Sequence, residues 1–448
     1  MPVAQSPIPS IPTLRLSVLF MVMLVAAAGN TAMQSILPAL GTKIGIADVW
    51  VSLAFSWSAL LWVITAPMWA RQSDKRGRKI LMALGVTGFA TSMLLCGLAL
   101  WAGLSGWMGA AMTFAVFALF RSLYGGFGSA SPPAVQAYIA ARTDAEERTR
   151  ALSLVACSFG LGTVIGPTIA PYFILPVFGL AGPLIIFALI GLVVLIALRL
   201  VLPDDTPRFA ARGQVTSYPT AGAGAPGSYT EDASLTDPSG APLIRWTDAR
   251  VRPWHIAGLI GGHAQAMFLG VIGFVVLDRL HLRATPDLAA EPTGHVMWVG
   301  ALATLLAQWG LIPLLKLQPR MAVVSGAAIG AAGAALLGIA DDLPTISSGF
   351  ALGLLGWGLF RPGFTAGASL AVPRGLQGQV AGQTASINGA AYIVAPAIGV
   401  LLYNWHAEMA FGLMAILSAA LAIWGWWALK LPPQLDAGGD DSLSSAEL

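Results

Sequence analysis

The sequence predicts an all-α membrane protein whose twelve transmembrane helices form two pseudo-symmetric six-helix bundles. Three observations predict this fold class: the composition, the number of long apolar runs, and a pattern that recurs in both halves. Of the 448 residues, 56% are hydrophobic and only 10% are charged, and the mean hydropathy is +0.74. A soluble domain carries about 25% charged residues, so this chain lacks the polar surface that water requires.

Twelve apolar runs approach or exceed the length of about 20 residues that a helix needs to cross a bilayer. The first six are Leu14–Leu37, Val51–Ala70, Ile80–Leu100, Trp107–Tyr138, Ala151–Phe178 and Ala181–Leu202. The second six are Trp254–Leu280, Val296–Leu315, Met321–Ile339, Ser347–Val372, Val380–Leu402 and Met409–Leu429. We therefore expect residues 1–202 to form one bundle and residues 254–431 to form the other.

Two polar segments interrupt or follow these runs. Residues 203–253 are rich in Gly, Pro, Ser and Thr and have no apolar period, which predicts a flexible linker. Residues 432–448 are polar and acidic and predict a disordered tail.

The basic residues predict the orientation in the membrane. Lys and Arg are concentrated in the loops on one side, whereas the other side carries only Lys43, Arg279 and Arg283. The positive-inside rule then places both termini and the linker in the cytoplasm of a bacterial-type inner (plasma) membrane. Because membrane sidedness accounts for the net charge of +3, we expect no nucleic-acid partner. The N-terminus lacks the charged region and cleavage site of a signal peptide, so we expect no cleaved leader.

The two halves share a pattern of arginine, glycine and proline. It consists of Leu119–Arg121 and Leu359–Arg361 in the fourth and tenth runs, and of Gly160 with Pro167 and Gly389 with Pro396 in the fifth and eleventh. Such internal repeats are a common plan of membrane transporters.

Arg121 and Arg361 lie within apolar runs. An arginine at the centre of a membrane helix costs at least about 2.5–3.5 kcal/mol on insertion scales, so each must face the protein interior. Arg121 could polarise a proton- or substrate-binding group, or it could have a structural role in which it donates hydrogen bonds to neighbouring carbonyls. For Arg361, the break in helical hydrogen bonding at Pro362 makes the structural role equally reasonable.

Two further motifs lie in the first half. The loop Ala70–Lys79 contains Asp74, Gly77, Arg78 and Lys79, and could be a simple positive-inside loop. Gly162, Gly166 and Pro167 lie in the fifth run, where glycine every fourth residue permits close helix packing and proline bends the helix.

Together these motifs resemble the major facilitator superfamily. Asp74, Gly77, Arg78 and Lys79 match its cytoplasmic loop signature, although Ala70, Gln72 and Ser73 depart from it. Arg121 with Gly125 and Gly128 resembles the helix-4 motif, which the family links to proton transfer. The resemblance implies the major facilitator fold, and it implies that the loop is a conformational latch in which Asp74 faces the start of helix 11.

Gly162, Gly166 and Pro167 resemble the helix-5 motif of the drug:proton antiporter branch, although Ala170 and Pro171 replace its final glycines. This likeness favours export over uptake. Many exporters of the family carry a carboxylate in helix 1 or helix 4, but this sequence has no Asp or Glu at mid-depth of any run. His263 could titrate instead, or it could be a neutral core histidine.

Polar residues on apolar helices are the candidates for a substrate and proton pathway. They are Asn30, Gln34, Arg121, His263, Gln265, Arg361, Gln383 and Asn388. Each amide could instead join helices, a contribution of roughly 0.6 kcal/mol per hydrogen bond.

The leading hypothesis is a monomeric, proton-coupled secondary exporter of a small, partly apolar compound, with alternating access and no cofactor or metal. A siderophore exporter is a variant of it. The alternatives are a metabolite uptake permease or facilitator, and a non-transporting membrane sensor. An enzyme is not expected, because no nucleophile elbow, phosphate loop or metal-ligand spacing is present.

Overall fold

The computed structural model describes residues 11–140, 142–143, 145–204 and 244–430. Within them, eleven helical spans are long and apolar enough to cross a membrane. A twelfth long helix, Ala145–Ile169, has 25 residues. The predicted all-α membrane fold is therefore confirmed. The predicted tail and residues 205–243 of the predicted linker lie outside the described residues.

The first bundle contains helices α1 to α6. They are α1 (Thr13–Ile44), α2 (Asp48–Arg76), α3 (Arg78–Leu104), α4, α5 (Ala145–Ile169) and α6 (Gly182–Val201). Helix α4 consists of Ala110–Phe127 and Ser131–Ala140, joined by a 3-10 turn over Gly128–Ala130.

The second bundle contains helices α7 to α12. They are α7 (Arg252–Arg279), α8, α9 (Pro319–Gly338), α10 (Leu343–Leu370), α11 (Arg374–Trp405) and α12 (Ala407–Ala428). Helix α8 consists of Ala290–Leu305, a π-helical turn over Leu306–Leu311, and Ile312–Leu314. No periodicity in the sequence predicts this π-helical turn.

Twelve crossings return the chain to the side on which it started. We call the side where α1 begins and α12 ends the terminal face. The opposite face carries the turns that join α1 to α2, α7 to α8, and α9 to α10.

The fifth helix ends earlier than the sequence predicts. The apolar run extends to Phe178, but α5 ends at Ile169 and a 3-10 turn follows over Ala170–Phe173. Pro171 has no N–H to continue the helical ladder. The chain then folds into a tight turn closed between Leu175 and Gly179, where Gly179 has φ = 53°. The prediction of one helix up to Phe178 is therefore wrong.

Glycines let two helices of the second bundle pack backbone to backbone. A Cβ on Gly326 of α9 would lie 2.6 Å from the carbonyl oxygen of Gly356 on α10. A Cβ on Gly330 would lie within 3.0 Å of the Trp357 ring. Close approach of small residues is a main source of helix association in membranes, so α9 and α10 form a tightly joined pair.

Candidate functional site

A cavity lies between the two bundles. Helices α1 and α2 of the first bundle and α7, α8 and α11 of the second form its wall. The lining residues are Gln34, Pro38, Val51, Ser52, Phe55, Ala266, Leu269, Gly270, Ile272, Gly273, Phe274, Met297, Tyr392 and Pro396.

Two of the predicted pathway residues meet beside this cavity. Arg121 of α4 and Asn30 of α1 are both fully buried, and the Arg121 guanidinium donates a hydrogen bond from Nη2 to Asn30 Oδ1. The guanidinium carbon also lies 4.6 Å from the ring centre of Tyr124 and 5.8 Å from that of Phe55. Phe55 lines the cavity, so Arg121 lies behind one layer of side chains.

Asn30 and Gln34 lie one helical turn apart on α1, and Gln34 is the one of the two that lines the cavity. The roles of these residues in transport stay predictions.

The other predicted polar residues of α7 lie outside the cavity lining. The Nδ1 atom of His263 is 2.7 Å from the carbonyl oxygen of Leu259, one turn earlier on the same helix. The Leu259 carbonyl therefore engages one ring nitrogen of His263, as expected for a histidine whose hydrogen bonding is satisfied by its own helix. Gln265 is also buried.

Gln383 of α11 binds the chain that enters α7. Its Nε2 donates to the carbonyl oxygen of Ile244 at 3.0 Å, and the Ile244 N–H donates to Gln379 at 2.8 Å. Ile244 and Val251 are buried, so the last residues of the predicted linker pack onto the terminal face. In this structure Gln383 thus bonds the backbone of the segment before α7, and it does not line the cavity.

Asn388 and Arg361 are also away from the cavity lining. Asn388 is half-buried on α11, and Arg361 is buried on α10, where its carbonyl oxygen accepts a hydrogen bond from Thr365. Neither of the two arginines that the repeat links in sequence is among the residues that line the cavity.

The predicted latch is only partly described. The turn between α2 and α3 has φ = 92° at Gly77, a conformation that favours glycine. Arg78 is buried, and Lys79 pairs with Asp204 at 2.9 Å, within the first bundle. The Asp74 side chain lies outside the described residues, so its contact with helix 11 stays a prediction.

The helix-5 motif packs α5 onto α1. A Cβ on Gly162 would lie 2.5 Å from the Leu24 carbonyl oxygen, and one on Gly166 would collide with the Ala28 carbonyl. On the other side, a Cβ on Gly294 of α8 would lie 2.8 Å from the Pro167 carbonyl oxygen. Pro167 therefore lies where α5 contacts the second bundle.

Ion pairs close the opposite face between the bundles, and no local sequence pattern predicts them. Arg283, in the turn after α7, bonds Asp48 of α2 at 2.7 and 3.0 Å and Asp278 of α7 at 2.5 and 3.1 Å. The hydrogen bonds that Arg283 donates to Asp278 and then to Asp48 hold the pKa of Arg283 above its usual value, although partial burial opposes this. The Asp48 side chain is only 8% exposed.

A second pair crosses between the bundles on the same face. Lys43 at the end of α1 lies 2.6 Å from Asp287 in the turn before α8, with side chains 39% and 52% exposed. Below these pairs, a Cβ on Gly273 would collide with the Pro38 ring, and both residues line the cavity. The cavity is therefore closed toward the opposite face. The scarcity of basic residues on that side was the only sequence signal for these contacts.

Two lining hydroxyls were also missed. Ser52 and Tyr392 are each 5% exposed, and neither hydroxyl has a hydrogen-bond partner among the described residues. Nothing in the sequence separates them from other hydroxyls on apolar helices.

Comparison with known proteins places this geometry in a family. The family profile of the Major Facilitator Superfamily matches residues 19–396. Multidrug resistance protein MdtG of Proteus mirabilis is 30% identical over 32% of this chain and 33% of its own length. The staphyloferrin B transporter of Staphylococcus aureus is 25% identical over 43% of this chain and 44% of its own length. These matches span less than half of each relative.

A solved structure of similar fold is that of a D-xylose–proton symporter. It has a TM-score of 0.70 and 15% sequence identity, and the alignment covers 94% of this chain and 98% of the symporter. At this identity the likeness concerns the fold alone.

Proposed function

The chain belongs to the Major Facilitator Superfamily, and we propose that it is a proton-coupled exporter of small, partly apolar compounds. Family membership makes it a multi-pass membrane transporter rather than an enzyme. The direction of transport, the coupling ion and the substrate are the proposed part.

The observation that carries the proposal is a cavity that both bundles line and that ion pairs between the bundles close at one face. Alternating access requires a central site whose two ends open in turn as the bundles rock against each other. A structure closed at the opposite face is one of the two states that such a cycle needs.

Export is supported by the helix-5 motif and by the relative named as a multidrug resistance protein. A siderophore-like substrate is a variant supported by the relative named as a staphyloferrin B transporter. We place the terminal face in the cytoplasm of a plasma membrane, because it carries most of the Lys and Arg.

Transport assays test the proposal. Expressed in a host without its main efflux pumps, the protein should lower the accumulation of at least one compound from a panel of apolar solutes. In inverted vesicles that are acid inside, adding that compound should raise the internal pH. Increased uptake would contradict export, and a silent pH signal during active transport would contradict proton coupling. A protein that inserts but moves none of the panel would favour the sensor alternative.

Arg121→Ala is the matched variant for this assay. Loss of the buried guanidinium removes the partner of Asn30, so we expect at least a tenfold loss of transport with normal insertion. Arg245→Ala changes an exposed arginine before α7 and is the control that should transport normally. Full activity of Arg121→Ala would remove Arg121 from the mechanism.

A further inference from the structure

The cavity wall has an unusual charge pattern for a site that faces both bundles. None of its fourteen lining residues carries a formal charge. Three are polar, Gln34, Ser52 and Tyr392, and the others are apolar or glycine. A ligand in this cavity must therefore be recognised by apolar contact and by a few hydrogen bonds.

Ser52 and Tyr392 are the residues that such hydrogen bonds would use. Each is 95% buried, each lines the cavity, and neither hydroxyl has a partner among the described residues. A buried hydroxyl without a partner is costly, and a bound polar group would remove that cost. Ser52 lies on α2 and Tyr392 on α11, so the two hydroxyls belong to different bundles.

A buried positive charge lies behind this wall, whereas Asp48 and Asp278, each one helical turn from a lining residue, are already paired with Arg283. The fully buried Arg121 guanidinium lies 5.8 Å from the ring centre of Phe55, which lines the cavity. A cation entering the cavity would lose its hydration, would find no carboxylate in the wall, and would be repelled by Arg121. Phe55 offers a cation little cation–π attraction, because the Arg121 guanidinium already lies over its ring.

We propose that the cavity binds apolar molecules that carry no positive charge and that accept hydrogen bonds from Ser52 and Tyr392. This assignment names the substrate class of the proposed transporter and rests on that function for its physiological meaning. Binding itself can be measured without transport.

The test uses two matched fluorescent probes and the purified full-length protein. One probe is the uncharged ethyl ester of a diethylaminocoumarin carboxylic acid, and the other carries a trimethylammonium group on the same ester chain. We expect the uncharged probe to bind at least tenfold more tightly. Tyr392→Phe and Ser52→Ala should each weaken its binding about 3- to 10-fold, the loss of one hydrogen bond.

Two controls match these variants. Tyr172→Phe removes a hydroxyl from a residue that is 82% exposed, and Ser325→Ala removes one that bonds the Met321 carbonyl on its own helix. Both should leave the affinity unchanged. Because Tyr392→Phe and Ser52→Ala remove only a hydroxyl, the fold should persist, and helical circular dichroism would verify this.

Equal or tighter binding of the cationic probe would overturn the proposal, as would unchanged affinity in both Tyr392→Phe and Ser52→Ala. Export of cations that neither variant affects would be consistent with the proposed transport function but would reject this binding site. Hydroxyl-dependent binding of the uncharged probe without any transport would support the site and reject the proposed function.

Discussion

The two faces of this protein use their charges differently. On the opposite face, Arg283 and Lys43 pair with Asp48 and Asp287 across the boundary between the bundles. On the terminal face, where basic residues are far more numerous, the described pairs Lys79–Asp204 and Arg250–Asp248 do not cross between the bundles. Thus the few cations of the opposite face join the two bundles. The described ion pairs of the terminal face, which has many more cations, do not connect the bundles.

This difference separates two roles of basic residues in a membrane protein. Numerous exposed cations set the orientation of the chain, an effect that depends on their number more than on their partners. A few paired cations can set the balance between two conformations, since each pair exists only when the bundles approach. The accessibility of the cavity from the opposite face therefore reports the balance that these pairs set.

The largest effect is expected from Arg283→Gln. It removes the shared partner of Asp48, which is nearly buried, and of Asp278, so the closed opposite face should lose about 1–3 kcal/mol. That loss corresponds to a 5- to 150-fold shift toward the open state. The measurement is labelling of Met297→Cys, a buried cavity residue, by a sulfonated maleimide added from the opposite face, with Cys96 and Cys157 replaced by Ser.

The control for this variant lies on the same face but within one bundle. Arg279 pairs with Asp341 at 2.7 Å, and both belong to the second bundle. Arg279→Gln should therefore leave the labelling rate within about twofold of the parent, as expected for an exposed pair. Equal acceleration by Arg279→Gln and Arg283→Gln would mean that net charge, not the contact between bundles, controls the opening.

A smaller effect is expected from Lys43→Gln. Its pair with Asp287 crosses between the bundles, but both side chains are partly exposed, so the closed face should lose only about 0.2–1 kcal/mol. Labelling should rise about 1.5- to 5-fold, and raising the salt concentration should reduce the difference from the parent. A salt-independent effect as large as that of Arg283→Gln would contradict this ranking.

The smallest effect is expected from Lys79→Gln on the terminal face. Its partner Asp204 is 98% exposed and lies in the same bundle, so the pair should contribute little to the closed state. Labelling of Met297→Cys from the opposite face should match the parent. A clear change would show that the loop after α2 controls the opposite face at a distance, as the resemblance to the family latch would allow.

Local patterns predicted most of the fold. Each apolar run contains a helix, and the glycine spacing at Gly162 and Gly166 matched the close packing of α5 on α1. The predictions failed where special backbone chemistry acted, as at Pro171, which ends α5 before its apolar run ends. The π-helical turn in α8 has no counterpart in hydrophobic periodicity.

The candidate site was less predictable because it depends on contacts between distant parts of the chain. Arg121 and Asn30 could be predicted as candidates because a charge or amide in an apolar run is conspicuous. Asp48 and Arg283 lie 235 positions apart, and no local pattern pairs them. Gln383 is equally conspicuous, yet it binds the Ile244 backbone, since an amide can satisfy any nearby polar group.

The most direct test of the central claim is the distance between the bundles on the opposite face. Spin labels at Trp107→Cys in the first bundle and Ile339→Cys in the second would occupy positions that are 72% and 75% exposed. Pulsed electron paramagnetic resonance should give one dominant short distance between the two labels in the parent. The Arg283→Gln, Lys43→Gln double variant should add a large population of longer distances. An identical distance distribution in both would show that these ion pairs do not hold the bundles together.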